Sequence, residues 1–94
     1  MTNHECTHRY ARAIGTEFRR KGANVVLGPS VNVHRVPRNG RNGEYISGED
    51  AQLGAPLTAA YVRGMQAVGV ACTVKHWILN SQVWARTRPH LTLT

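Results

Sequence analysis

Two short apolar runs restrict what this chain can fold into more than any other feature. Val25, Val26 and Leu27 form an unbroken run in NVVLGP, bounded by Gly28 and Pro29, and a second run in VACTVKHW extends from Val70 to Val74. Unbroken runs of this length are expected of strands buried on both faces, and a parallel sheet is their natural home. The chain between them must then carry a crossover.

The flanking segments supply helices. From Glu5 to Lys21 the residues Tyr10, Ile14 and Phe18, with Ala11 and Ala13 beside them, recur at helical spacing, and Gly22 stops the pattern. Ser47 followed three residues later by Asp50 resembles a helix-capping arrangement. Leu53, Leu57, Ala60, Tyr61, Gly64, Met65 and Val68 then trace a second helical face that ends at Gly69. Between Ser30 and Gly48 stand Pro37, Gly40, Gly43 and three asparagines, so this stretch is expected to be a long loop. The order is helix, strand, long loop, helix, strand, which is the pattern of a right-handed parallel unit. Both the loop, with Arg35, Arg38 and Arg41, and the pair Lys75 and His76 then lie at the carboxyl ends of parallel strands, the edge where α/β folds build their sites.

Composition narrows the function classes. The 94 residues suit one small domain. Their formal net charge of +7 favours acidic partners, which keeps a small basic nucleic-acid-binding protein as the alternative reading. The arginines are dispersed, however, with no run of like charge and no finger spacing, so neither nucleic acid nor membrane is the expected partner. No stretch reaches the roughly 18 apolar residues of a membrane helix. The start carries no apolar signal-peptide core, which fits an intracellular protein or one whose true N-terminus is missing, and localisation stays unassigned. Cys6 and Cys72 have no metal-ribbon spacing and read as two free thiols, buried or half-buried.

HECTH, with His4, Glu5 and His8, fits the H-E-x-x-H pattern of zinc hydrolases. A catalytic zinc needs a third protein ligand, and none is identifiable among His34, His76 and His90. The stretch is read instead as a frayed helix end, and no metal or cofactor is expected.

The stretch RAIGTEFRRKGANVVLGPSVNVHRVPRNGRNGEYIS, followed by AAYVRGMQAVGVACTVKHWILN, resembles the N-terminal barrel domain of family 3 glycoside hydrolases, the β-glucosidase type. The resemblance runs from Tyr10 to Gln82. Its motifs are G-R-N-x-E at Gly40 to Glu44 and K-H-(aromatic)-x-x-N at Lys75 to Asn80. It implies an α/β fold, a partial (β/α)8 TIM-barrel fragment with two parallel strands and two helices, since a whole barrel takes about 250 residues. Residues 1–82 would be the barrel part and residues 83–94 a divergent, disordered tail, the product of an out-of-frame or misspliced ending.

The resemblance also implies roles. Arg41, Lys75 and His76 would bind hydroxyls of the sugar in the subsite where the bond breaks, because cationic donors make charge-assisted hydrogen bonds to them. Glu44 would orient these groups without serving as a catalytic acid, and Trp77 would either back the pocket or pack in the core. Retaining glycosidases need two carboxyl groups about 5 Å apart. None of Glu5, Glu17, Glu44, Glu49 and Asp50 matches the family's nucleophile, an aspartate in a Ser-Asp-Trp-like segment, or its acid/base. The parent enzyme would hydrolyse terminal β-glycosides with retention, and the fragment alone would be inactive. Its unclosed barrel edges would favour self-association. Gly43 stands where the family carries a bulky residue, and the family's proline after the acid is missing from SGEDA.

Overall fold

Thr2 and Glu5 set the start of the first helix, α1 (Asn3–Arg20). The structure is a computed structural model and describes residues 1–78 and 80. Thr2 Oγ1 accepts a hydrogen bond from Glu5 N at 3.3 Å while Glu5 Oε2 accepts one from Thr2 N at 2.7 Å, a capping box that satisfies two backbone donors at once. The helix therefore begins two residues before the expected Glu5, and its first turn is capped and not frayed. It ends as the sequence indicates. Gly22, at φ 84°, takes the left-handed conformation, its N–H reaches Arg19 O, and Ala23 N reaches Phe18 O.

Strand β1 (Val25–Val26) and strand β2 (Ala71–Cys72) pair in parallel, with Val25 opposite Ala71 and Val26 opposite Cys72. Each is shorter than its apolar run. Pro29, which lacks a backbone donor, follows Gly28 through a cis peptide, and pairing resumes only at Ser30, which bridges both Lys75 and Tyr45. The second helix, α2 (Ala51–Gln66), is the crossover between the strands. Its cap differs from expectation. Asp50 is itself the N-cap, with Oδ1 accepting from Gln52 N and Leu53 N, whereas Ser47 is buried and donates to the carbonyls of Val31 and Asn32.

Helices α1 and α2 pack closely because glycines lie at the contact. A Cβ on Gly64 would stand 2.5 Å from the His8 carbonyl oxygen and 2.7 Å from Ala11 Cβ, and one on Gly15 would stand 2.5 Å from Val68 Cγ2. The core beneath is small: Ala11, Val26, Met65 and Val70 are buried, with Ile14, Phe18, Tyr61, Val68 and Cys72 packed against them. Cys72 is a half-buried free thiol, held above its ordinary pKa by burial, and Cys6 is exposed.

Among the described residues only one face of the sheet is covered, which corrects the expectation of strands buried on both. Val26 points to the helices, and strand alternation turns Val25 and Leu27 the other way, where they are 50% and 72% exposed. That face would line the interior of a closed barrel, and two strands cannot close one. Trp77 is 96% exposed, so it neither backs a pocket nor packs in the core. Nothing among the described residues covers it. No described helix is long and apolar enough to cross a membrane, and the expected tail 83–94 lies outside the described residues.

Candidate functional site

The long loop is held in shape by its asparagines. Buried Asn39 accepts from Arg41 N through Oδ1 at 3.2 Å and donates through Nδ2 to Asn42 Oδ1 at 3.0 Å, while Asn42 Nδ2 donates to the Pro37 carbonyl at 3.2 Å. Gly40 turns the chain at φ 86°, a conformation side chains disfavour, and delivers it into a single 3-10 turn (Asn42–Glu44). Arg41 and Glu44 thereby emerge on the same side of the loop.

Three backbone hydrogen bonds carry that loop to the end of the sheet. Ile46 N donates to Ser30 O at 3.2 Å, and on the other side of the same segment Lys75 N donates to Pro29 O at 3.0 Å and Val31 N to Lys75 O at 2.8 Å. Asn32 adds a further link, its Oδ1 accepting from His76 N at 3.0 Å. Arg41, Glu44, Lys75 and His76 consequently converge at the carboxyl ends of both strands.

Glu44 is the electrostatic centre of the group. Its Oε1 lies 2.6 Å from Arg41 Nε and its Oε2 2.9 Å from Lys75 Nζ. The hydrogen bond from Lys75 above all, and after it the one from Arg41, hold the Glu44 carboxyl below its ordinary range, against the opposing pull of partial burial. His76 stands beside them, with Nε2 3.4 Å from Arg41 Nη2 and Nδ1 2.9 Å from the Tyr45 hydroxyl. The side chains of Arg41, Lys75 and Glu44 keep 28%, 24% and 29% of their surface exposed, so they are fixed in place yet reachable by a solute. Two cations sharing one carboxylate leave one positive charge and an excess of donors, an arrangement suited to holding neutral hydroxyl or anionic oxygens.

All three residues singled out in the sequence, Arg41, Lys75 and His76, meet in this cluster. Tyr45 was not legible as a member. It is buried at the loop's end, where its ring meets His34 edge-on at 6.0 Å and His76 at 5.9 Å. Its place directly after Glu44, the last residue of the G-R-N-x-E motif, was the available signal. His4 and His8 lie in the first two turns of α1 instead, lining a shallow open cleft with Met1, Glu5, Arg9 and Arg63. Glu5, which would activate water in a zinc enzyme, is committed to the helix cap. Among the described residues no three His, Cys, Asp or Glu side chains come together as a metal site.

Comparison with known proteins fits this geometry. The model of the glycosyl hydrolase family 3 N-terminal domain matches residues 1–91, a match that runs beyond Gln82. The β-glucosidase BoGH3A of Bacteroides ovatus is 50% identical over 74 residues, which cover 79% of this chain and 10% of that protein. A β-glucosidase of Rhizobium radiobacter is 46% identical over 76 residues, covering 81% of this chain and 9% of the relative. Among solved structures, β-glucosidase 3B of Thermotoga neapolitana in complex with α-D-glucose superposes with a TM-score of 0.80 at 40% identity, over 85% of this chain and 11% of that one. The chain thus spans about a tenth of the length of the relatives it matches, and its two helices and two parallel strands are a part of their barrel. It belongs to glycosyl hydrolase family 3, as a portion of the family's N-terminal domain.

Proposed function

We propose that this chain carries part of the sugar-binding subsite of a β-glucosidase-type hydrolase, with Arg41, Lys75 and His76 as the groups that hold the ring's hydroxyls. The observation that supports this most strongly is the convergence of the three at the carboxyl ends of the parallel strands, around a carboxylate that keeps the cations in register. Such donors, already oriented, position a ring without reorganising when it arrives. The substrate class follows from the relatives, which are β-glucosidases, and from the Thermotoga neapolitana enzyme, which was solved with glucose.

Cleavage would require two carboxyl groups flanking the bond. Glu44 is bound by both cations, Asp50 and Glu5 cap helices, and Glu17 and Glu49 are exposed. The chain by itself is therefore a binding element without a nucleophile or acid/base. The open strand face is a further consequence: its apolar residues favour self-association of the isolated chain.

Titration of the full chain with glucose, followed by NMR, tests the reading. Shifts localised at Lys75, His76 and the Arg41 loop, abolished by Lys75→Ala and absent with an open-chain polyol, are the expected result. Equal shifts with both solutes, or none at these residues, overturn it. Turnover of an aryl β-glucoside by the purified chain would overturn the claim that it lacks catalytic carboxylates.

A further inference from the structure

The ring of His76 is held between two partners whose own chemistry dictates where its proton sits. The Tyr45 hydroxyl has one proton to give, and 3.0 Å from it is the main-chain oxygen of Asn80, a group that only accepts. The hydroxyl donates there, which turns its oxygen lone pairs towards His76 Nδ1 at 2.9 Å. That nitrogen must then carry the hydrogen. On the opposite side of the ring, the Arg41 guanidinium can only donate, and its Nη2 lies 3.4 Å from His76 Nε2, which must then offer a lone pair. Two independent neighbours require the same tautomer.

We infer that Tyr45 is a positioning residue: it fixes His76 as the Nδ1–H tautomer and so presents Nε2 as a hydrogen-bond acceptor beside the donors Arg41 and Lys75. The orientation is reinforced from the backbone by Asn32, whose Oδ1 holds His76 N. Tyr45 is itself fixed, with its ring buried against His34 and its main chain bridged to Ser30. This deepens the sugar-subsite reading and rests on it for the nature of the ligand. The 3.4 Å contact between Arg41 and His76 is long for a hydrogen bond, so an arriving hydroxyl can take its place. That hydroxyl would accept from Arg41 and donate to His76. Fluorine in the same position can accept but cannot donate, so the subsite discriminates between the two.

The test reads the tautomer directly. Long-range 1H–15N spectra of the 15N-labelled full chain, recorded without sugar at pH about 8, above the ordinary histidine range, distinguish the two ring nitrogens. Wild type is expected to show His76 protonated at Nδ1, and Tyr45→Phe to shift the ratio towards Nε2–H by about fivefold to tenfold, the effect of one net hydrogen bond. A wild-type His76 protonated at Nε2 overturns the inference, as does a folded Tyr45→Phe chain with an unchanged ratio. Should the variant fail to fold, the wild-type spectrum still decides. Because no sugar is present, an Nδ1–H ring in a chain that binds no glucose keeps the role of Tyr45 and sinks the subsite reading alone.

Discussion

Glu44 and Lys75, 31 residues apart in sequence, join through a 2.9 Å contact between Oε2 and Nζ. That contact ties the end of the loop to the end of strand β2. Replacing Glu44 by Gln would leave two half-buried cations facing each other without their shared counter-charge. Each pair is partly exposed, so the expected loss is about 1 kcal/mol or less per pair, with a rise in the mobility of Arg41. Urea unfolding checks the first and NMR relaxation the second.

Acid should act through the same residue. Glu44 is held below its ordinary value near 4.5, so its contribution to stability is fully present above that pH and is lost as pH falls through the lower folded value. Urea midpoints measured from pH about 6 downwards should fall for wild type, and Glu44→Gln should remove this component of the fall. Parallel curves for the two proteins would contradict the assignment.

Gly64→Ala tests the helix contact. On an exposed helix this change would gain about 1 kcal/mol of propensity, but here the new Cβ meets the His8 carbonyl and Ala11, and overpacking costs about 1–3 kcal/mol. A net destabilisation is expected. Gly43→Ala, whose Cβ meets nothing within 4 Å, should leave the urea midpoint close to wild type.

Met65, on α2, is completely buried against α1 and the sheet. Truncation to Ala should cost about 2–5 kcal/mol, a large share of what so small a core provides, and abolish a cooperative urea transition.

The open sheet face predicts concentration-dependent association. Leu27→Lys, which places a charge on an exposed apolar site without touching the core, should shift sedimentation towards the monomer. Unchanged sedimentation would locate any contact elsewhere.

What the sequence disclosed and what it hid follow from the range of the interactions involved. Gly22 and Gly69 end helices by local backbone conformation, and the two apolar runs mark strands by composition, so both could be read residue by residue. Arg41, Lys75 and His76 were legible because strand polarity sends the arginine-bearing loop and Lys75-His76 to one edge, and the G-R-N-x-E and K-H motifs of the family resemblance single them out there. The α2 cap was not, since Ser47 and Asp50 are both good caps and the choice depends on Gly54, whose missing side chain lets α2 come down onto Ser47 and drives the serine hydroxyl to the Val31 and Asn32 carbonyls. Tyr45 was hidden for the same reason, because its partners lie at His76 and Asn80. The exposure of Val25 and Leu27 reflects partners that two strands and two helices do not supply.

The register that sets Val25 against Ala71 also has a kinetic side. Almost half of the chain must be looped before the first of these backbone bonds can form, and closing such a loop spends entropy that two short strands repay poorly. Docking of α1 on α2 closes a loop of similar length, Gly15 lying against Met65, but repays it with the buried core, so it should come first in folding and bring the strand ends within reach. Sheet pairing would then be the last event to complete and the first to open, so the amides of Ala71 and Thr73, which bond across the pair to Asn24 and Val26, should exchange with solvent sooner than those inside either helix.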